Sequence, residues 1–173
     1  MFYDDNFQIE TGHTSKSKNM RGQVWKSYDQ AGIAEVNEYD FKGAPLKSTR
    51  SIFDDYNEKG DWTALLNTNP ILPPTTEHFE TSIQYDALGR PTKNTAPDGS
   101  ITINIYDEGG ALYSVYSDIH GQQTTQVEKI AYNEKGQRKY ITYGNDAHTT
   151  YHYDELNYRL THLHTTRKLT SGA

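Results

Sequence analysis

The chain has no cysteine, and this absence excludes several classes of protein. A sequence without thiols cannot form a disulfide-stapled scaffold, a thiolate zinc site or a cysteine nucleophile. Long apolar runs are missing as well: only 34% of the 173 residues are hydrophobic, and the mean hydropathy is −0.90. No segment approaches the roughly 20 apolar residues that span a bilayer, so we predict no membrane span.

The N-terminal segment is polar and lacks the apolar stretch of a secretory signal. We therefore expect that something other than this segment directs export, if the protein is secreted or displayed at the cell surface. The net charge of −6 and the pI near 5.6 argue against nucleic acid as a partner.

Sequence fingerprints of catalysis are also absent. The chain has no G-x-S-x-G turn, no phosphate-binding loop and no dinucleotide fingerprint. Asp98-Gly99-Ser100 lacks the alternating acidic ligands of a calcium loop and is better explained as a hairpin turn. Asp4-Asp5 and Asp54-Asp55 are interpreted as solvated turn or edge charges. The sequence therefore predicts no enzyme, no cofactor and no catalytic residue.

Four histidines fall at short, even spacings near the C-terminus of the chain. His148 and His152 would share one face of a strand, as would His162 and His164. A four-histidine metal site is conceivable, but no carboxylate or cysteine spacing supports it. We therefore predict no metal site and interpret these histidines as exposed strand positions.

The chain is rich in tyrosine, and the tyrosines belong to a repeat. Aromatic residues make up 12% of the chain, with 14 tyrosines, which argues against disorder. Seven copies of the pattern Tyr-(Asp/Asn)-x-x-(Gly/Asn) recur along the sequence. The copies are Tyr28, Asp29 and Gly32; Tyr39, Asp40 and Gly43; Tyr56, Asn57 and Gly60; Tyr85, Asp86 and Gly89; Tyr106, Asp107 and Gly110; Tyr132, Asn133 and Gly136; and Tyr153, Asp154 and Asn157.

The pattern predicts a tight turn between two strands. Asp or Asn at the first turn position can accept hydrogen bonds from the N–H groups just ahead, and Gly supplies the positive φ that closes a type I turn into a bulged hairpin. In the seventh copy Asn157, the next most tolerant residue for the left-handed region, replaces Gly. Each copy is thus read as a strand end, a corner and a strand start.

The spacing of the copies predicts a sheet of consecutive hairpins. Tyr85 and Tyr106 lie 21 residues apart, as do Tyr132 and Tyr153. Between Tyr106 and Tyr132 there are five extra residues, and Gly121 is expected to mark a longer turn there. We predict a polar, loosely ordered lead-in over 1–19, a repeat region over 20–167 with a short helical or irregular insertion at 61–74, and a tail over 168–173.

The repeat resembles the YD repeat of Rhs proteins, and the wider series resembles the repeat region of the B and C components of insecticidal toxin complexes (Tc toxins). The resemblance covers about residues 20–167. It is carried, in order, by Arg21-Gly22-Gln23-Val24, Tyr28-Asp29-Gln30-Ala31-Gly32, Glu38-Tyr39-Asp40-Phe41-Lys42-Gly43, Asp61-Trp62, Tyr85-Asp86-Ala87-Leu88-Gly89-Arg90-Pro91 and Tyr143-Gly144-Asn145-Asp146.

The resemblance implies an all-β fold in which antiparallel hairpins form a curved, continuous sheet, a piece of a hollow shell. In that family the shell encloses a toxic C-terminal polypeptide, and a protease segment at the end of the shell releases it. This sequence contains neither that segment nor an effector domain, so the implied role is a non-enzymatic wall segment of a secreted toxin. Implied partners are other shell segments or a partner subunit and the enclosed effector, and an isolated fragment is expected to self-associate through its strand edges.

Carbohydrate binding is the alternative function. Exposed tyrosine and tryptophan on a β-surface can stack on sugar rings, and YD-repeat proteins have been associated with glycan binding. Trp25 and Trp62 are the candidate stacking residues. The alternative is that these tryptophans pack against cross-strand neighbours.

Overall fold

A computed structural model describes residues 2–3, 17–55 and 75–167. Within these ranges there is no helix, and hence none that could cross a membrane. The described residues form two compact units, 1–98 and 99–173. The predicted fold class is confirmed, since both units are built from antiparallel hairpins. The insertion at 61–74, the third corner with Tyr56, Asn57 and Gly60, and the tail at 168–173 lie outside the described residues.

The first unit is a sheet in which each strand pairs with its neighbour in the chain. Every pairing is antiparallel, so alternate connections lie at the same edge. The predicted lead-in contributes one short strand, which pairs with the next strand along the chain. The strands are β1 (Phe2–Tyr3), β2 (Val24–Asp29), β3 (Gly32–Tyr39), β4 (Pro45–Ile52), β5 (Glu77–Tyr85) and β6 (Pro91–Thr95).

The second unit repeats this arrangement. Its strands also pair in chain order and antiparallel. They are β7 (Ile101–Tyr106), β8 (Leu112–Ile119), β9 (Gln122–Tyr132), β10 (Arg138–Tyr143), β11 (Ala147–Tyr153) and β12 (Leu160–Arg167).

The expected longer turn at Gly121 is wrong. Ile119 pairs with Gln122, so the turn has two residues, His120 and Gly121. Both have positive φ, 52° and 82°, which is the backbone of a type I′ turn. The extra residues between Tyr106 and Tyr132 lengthen β8 and β9 instead, because a two-residue turn suits the right-handed twist of the flanking strands.

The buried residues form small clusters rather than one thick core. In the first unit Met20, Trp25 and Tyr39 are buried together, with Val36 packed against them. In the second unit Ile130 on β9 lies opposite Ile141 on β10, and both are buried. These few apolar contacts supplement the backbone hydrogen bonds of the sheets.

A polar pair extends the buried row of the second unit. Thr149 on β11 is 4% exposed and lies opposite Ile141. Its hydroxyl is 2.9 Å from that of Thr165 on β12, its cross-strand partner. A row of side chains from β9 to β12 therefore ends in a threonine pair, which satisfies its own hydroxyls.

Two glycines are required by close backbone approach. A Cβ built on Gly32 would lie 2.0 Å from the carbonyl oxygen of Ser51, and one built on Gly144 would lie 1.8 Å from that of Thr125. No side chain fits at either position without moving the neighbouring strand. These glycines fix how tightly β3 approaches β4 and how tightly the β10–β11 turn approaches β9.

Candidate functional site

The repeated corner is the candidate site, because it is the one feature that recurs throughout the described residues. Asp86 shows its geometry. The Asp86 carboxylate accepts the N–H groups of Leu88 at 2.9 Å and Arg90 at 3.0 Å. The Asp86 N–H donates to the Arg90 carbonyl at 3.0 Å, and the Gly89 N–H donates to the Asp86 carbonyl at 2.9 Å. One side chain thus organises the whole turn.

Three further corners share this closure. Asp40, Asp107 and Asn133 each donate their N–H to the carbonyl four residues ahead, at 2.8–2.9 Å, and their side chains accept that residue's N–H in return. The glycine in each of the four corners has a positive φ, between 74° and 87°. The glycines are Gly43, Gly89, Gly110 and Gly136.

The first copy, Tyr28, Asp29 and Gly32, forms a different turn. Asp29 pairs with Gly32, so only Gln30 and Ala31 lie in the loop, and Gly32 belongs to β3. The prediction that this glycine closes a bulged corner is wrong. The chain closes earlier here because Gly32 must let the Ser51 carbonyl approach.

The Asp29 carboxylate has a second partner. It accepts the N–H groups of Ala31 and Gly32 and lies 2.6 Å from an Arg50 guanidinium nitrogen. The hydrogen bond from Arg50 lowers the Asp29 pKa to about 2. Asp29 is therefore a charged structural anchor at neutral pH.

The seventh copy also departs from the prediction. The residue with positive φ is Tyr158, at 60°, and not Asn157. The Tyr158 N–H donates to the Asp154 carbonyl at 2.9 Å, and the Asp154 N–H reaches the Arg159 carbonyl, one residue further than in the glycine corners. Asn157 instead accepts the Arg159 N–H at 2.9 Å through its side chain. Asparagine stabilises a longer turn here because its side chain accepts the N–H that the corner acid or amide accepts in the glycine corners.

The repeated tyrosine joins successive corners, a role that the sequence interpretation missed. The Tyr132 hydroxyl donates to the Leu112 carbonyl at 2.9 Å, and the Tyr153 hydroxyl donates to the Arg138 carbonyl at 3.0 Å. In both cases the acceptor lies six residues after the tyrosine of the preceding corner. We call this contact the tyrosine clasp.

The first unit has the same clasp. The Tyr85 hydroxyl donates to the carbonyl of Pro45, which lies six residues after Tyr39, at 3.3 Å. The Lys42 ammonium also donates to the Ala87 carbonyl, which links the same two corners directly. The regular spacing of the tyrosines was visible in the repeat, but which backbone carbonyl each hydroxyl reaches depends on strand pairing.

The arginine after the fourth corner reinforces its acid. Arg90 Nε and Nη2 each lie 2.6 Å from an Asp86 carboxylate oxygen. Hydrogen bonds from the Arg90 backbone, from its guanidinium and from the Leu88 N–H lower the Asp86 pKa. Asp86 is thus held as a carboxylate by its structural partners.

Of the two tryptophans proposed for sugar stacking, the structure describes Trp25, which is buried. Trp25 is 3% exposed, packed with Met20 and Tyr39, and the Lys26 ammonium lies 4.5 Å from its ring centroid. Its ring face is therefore not open to a sugar, and the interpretation of Trp25 as a stacking residue is wrong. Burial follows from the segment before β2, whose Met20 side chain covers the indole. Trp62 lies outside the described residues.

The remaining candidate groups have structural partners. The Asp54 carboxylate accepts both the N–H and the hydroxyl of Thr76 at 2.7 Å, which lowers its pKa. Asp4-Asp5 lie outside the described residues. The His148 ring contacts the Thr142 hydroxyl at 3.2 Å. Within the described ranges, no three His, Asp or Glu side chains form a ready-made ligand set for a metal ion.

Comparison with known proteins gives the repeat a context. No family model matches the sequence. The chain is 29% identical over 163 residues to toxin subunit YenC1 of Yersinia entomophaga, and 28% identical over 167 residues to toxin subunit YenC2 of the same organism. The alignments cover 89% and 92% of the chain but only 16% and 17% of the two subunits.

Solved structures agree with the sequence comparison. The chain superposes on a TcdB2-TccC3-Cdc42 crystal structure with a TM-score of 0.80 and 26% identity, over 88% of its length and 7% of that chain. The values are the same for TcdB2-TccC3 without its hypervariable C-terminal region and for the Photorhabdus luminescens Tc holotoxin pore. The chain resembles the repeat region of Tc toxin subunits. The YD-repeat interpretation is thereby confirmed, and the matched part is a small share of each larger protein.

Proposed function

We propose that this chain is a non-enzymatic wall segment of a Tc-toxin-like shell that encloses a toxic effector polypeptide. The observation that carries the proposal is the tyrosine clasp between successive corners. A wall must hold consecutive hairpins together over a long sheet, and the clasp repeats with the hairpins. The likeness to Tc toxin subunits supports the proposal.

The clasp supports a wall because it stabilises a sheet with little core. Among the described residues of the second unit, the only buried hydrophobic side chains are Ile130 and Ile141. Each tyrosine hydroxyl bond contributes about 1 kcal/mol, similar to one buried methylene. Repeated corner and clasp bonds therefore replace part of the stabilisation that a globular domain obtains from its core.

The side chains on the strands fit a surface that faces a polypeptide without binding it tightly. Serine and threonine occupy many strand positions, and most strand residues of the described part are half-buried or exposed. Such a surface offers hydrogen bonds in every direction but few deep apolar pockets, which are the usual anchors of tight binding. A shell that must release its effector needs this property.

The electrostatics of the corners favour structure over catalysis. A general acid at neutral pH needs a raised carboxyl pKa, whereas the pKa of Asp29 and Asp86 is lowered by their hydrogen bonds. Their oxygens are already occupied by backbone N–H groups and arginine. We infer that these carboxylates organise turns and that the segment is not an enzyme.

The proposal implies partners and a location. The partners are other segments of the same shell or a second toxin-complex subunit, together with the enclosed effector. The location is outside the producing cell, as part of a larger toxin. Strand edges left unpaired in an isolated fragment would promote self-association.

A graft into a structurally similar protein tests the proposal. The matched segment of TcdB2-TccC3 would be replaced by this chain, in the form that keeps the hypervariable C-terminal region and in the form without it. We expect the first chimera to assemble and to keep that region resistant to added protease for as long as the parent does.

The matched control is the same graft carrying Gly136→Val and Tyr132→Phe, which weaken one corner and one clasp. It should expose the C-terminal region to protease sooner. An unmutated chimera that assembles but loses the region at the rate of the free polypeptide would contradict encapsulation. Failure of that chimera to assemble would also count against a wall segment, since a TM-score of 0.80 predicts a fit.

A further inference from the structure

The last hairpin of the second unit gathers histidines on one face. In the β11–β12 pairing His152 lies opposite His162, Thr150 lies opposite His164, and His148 lies opposite Thr166. Side chains alternate between the two faces along a strand, so the four histidines share one face. The hairpin therefore holds four of the seven histidines in the chain.

Two of these rings lie close to the His162 ring. The ring centroids of His152 and His162 are 5.8 Å apart, and those of His162 and His164 are 6.1 Å apart. All three side chains are exposed to solvent. His162 thus has two ring neighbours, one across the strand pair and one two residues along its own strand.

The two spacings around His162 are close to those between neighbouring rings in a three-histidine metal site. Zinc binds imidazole nitrogen at about 2.0–2.1 Å in tetrahedral geometry, which places the centroids of two ligating rings about 5 Å apart. The two measured spacings exceed that value by about 1 Å. Rotation of exposed side chains can close such a gap without moving the backbone, because these rings are not locked by packing.

We propose that His152, His162 and His164 bind one divalent transition-metal ion of the class that prefers imidazole, with zinc as the representative. Three neutral imidazoles leave a fourth position for water, as in sites of the three-histidine type. In the observed rotamers the three rings are not yet arranged as a ligand set, so binding draws them together. This inference does not depend on the proposed shell function.

The site would pin β12 to β11. His152 belongs to one strand, whereas His162 and His164 belong to the other, so the ion would cross-link the hairpin. A metal that binds the folded state preferentially raises its stability by mass action. Binding and thermal unfolding therefore report on the same event.

The test is calorimetric titration of the full chain, without an oligohistidine tag, with Zn²⁺. We expect one ion per chain, binding at least about tenfold weaker in His162→Ala, and unchanged binding in His78→Ala. His78 is the matched control because its ring is engaged by the Ser51 hydroxyl at 2.8 Å in the other unit. Replacing Zn²⁺ by Co²⁺ should give the intense visible absorption of four-coordinate cobalt.

A folding control separates loss of ligands from loss of structure. Zn²⁺ should raise the melting temperature of the wild-type chain and of His78→Ala, but not that of His162→Ala or His164→Gln, which should fold like the wild type in metal-free buffer. The proposal is overturned if the wild-type chain binds no zinc at about 100 µM, if His162→Ala binds as tightly as the wild type, or if His78→Ala weakens binding equally.

Discussion

Two corners of the second unit close by different means. At Asn133–Gln137 a glycine takes the positive φ and the turn closes over four residues, whereas at Asp154–Arg159 the positive φ falls on Tyr158 and the turn is one residue longer. Both corners end a strand whose tyrosine forms a clasp. The comparison shows that the tyrosine and the following Asp or Asn define the corner, while glycine sets its length.

The longer corner has its own supporting contacts. The Lys135 ammonium lies 3.0 Å from the centroid of the Tyr158 ring, and Gln137 donates to the Tyr158 carbonyl at 2.8 Å. Two side chains of the glycine corner, Lys135 and Gln137, thus contact Tyr158, the residue that takes the positive φ in the next corner. A non-glycine residue at positive φ costs about 1–3 kcal/mol, and these contacts offset part of that cost.

The largest expected effect on the free energy of unfolding distinguishes the two corners. Gly136→Val should lower the free energy of unfolding by about 2 kcal/mol, because a β-branched residue is forced to a φ of 74°. A Cβ at Gly136 meets no atom within 4 Å, so the cost is conformational and not steric. Asn157→Val, outside the positive-φ region, should cost less than half as much. Urea unfolding followed by circular dichroism measures both; equal losses would refute the assignment of glycine to turn closure.

The next largest loss of stability should come from removing a tyrosine clasp. Tyr132→Phe removes the hydroxyl that reaches the Leu112 carbonyl and should lower the free energy of unfolding by about 1 kcal/mol. Tyr153→Phe should cost a similar amount, because both corners retain the clasp. The control is Tyr113→Phe, at an exposed tyrosine of β8, which should change stability little. Indistinguishable effects of all three substitutions would mean that the hydroxyl bonds contribute nothing measurable.

A smaller effect depends on pH and distinguishes acid corners from the amide corner. The Asp86 pKa is lowered in the folded state, so its stabilising effect is full above its unfolded pKa and is lost as pH falls through the lowered folded value. Asp86→Asn should therefore be destabilising at pH 6 and less destabilising at pH 2. Unfolding at both pH values measures the difference, and a constant difference would exclude a role for the carboxylate charge.

The amide corner at Asn133 provides a reference for the pH dependence of Asp86→Asn. Asn133→Asp converts the amide corner into an acid corner, and its stability relative to the wild type at pH 2 and pH 6 measures what a carboxylate without an arginine partner contributes. An NMR titration of the Asp86 carboxyl group would give its pKa independently. A value above the ordinary range for aspartate would contradict the hydrogen-bonded geometry of the corner.

The smallest expected effect comes from converting the long corner into the short one. Deleting Tyr158 and changing Asn157→Gly creates the order Tyr-Asp-Glu-Leu-Gly-Arg, which matches the fourth corner in its tyrosine, acid, leucine, glycine and arginine. Arg159 would then stand where Arg90 pairs with Asp86. Relief of positive φ at Tyr158 and loss of its ring contact should nearly cancel, leaving a change within about 0.5 kcal/mol.

Hydrogen exchange can show whether the conversion has shortened the turn. The Arg159 amide, which now donates to Asn157, should gain protection by donating to Asp154 instead. A wild-type exchange pattern would mean that the length of the corner is set by the flanking strands. That result would contradict the conclusion that glycine sets the length of the corner.

The corners were predictable because their interactions are local. An acid, two intervening residues and a glycine contain all the groups that form the turn, and the order of the strands follows from corners at regular spacing. Gly32 and Gly121 were misread because a glycine in a turn pattern looks the same whether it closes a loop, approaches a distant carbonyl or begins a type I′ turn. The partner that decides for Gly32 is Ser51, which belongs to another strand.

Sequence by itself determined that this protein is a series of antiparallel hairpins with tyrosine and acid at its corners, since those contacts join residues only a few positions apart. Tertiary structure alone decided that Trp25 is buried, that the Tyr132 and Tyr153 clasps reach the sixth residue after the preceding corner tyrosine, and that His152 faces His162. Those facts depend on strand register, which is set by the summed pairing of whole strands and by the length of each turn.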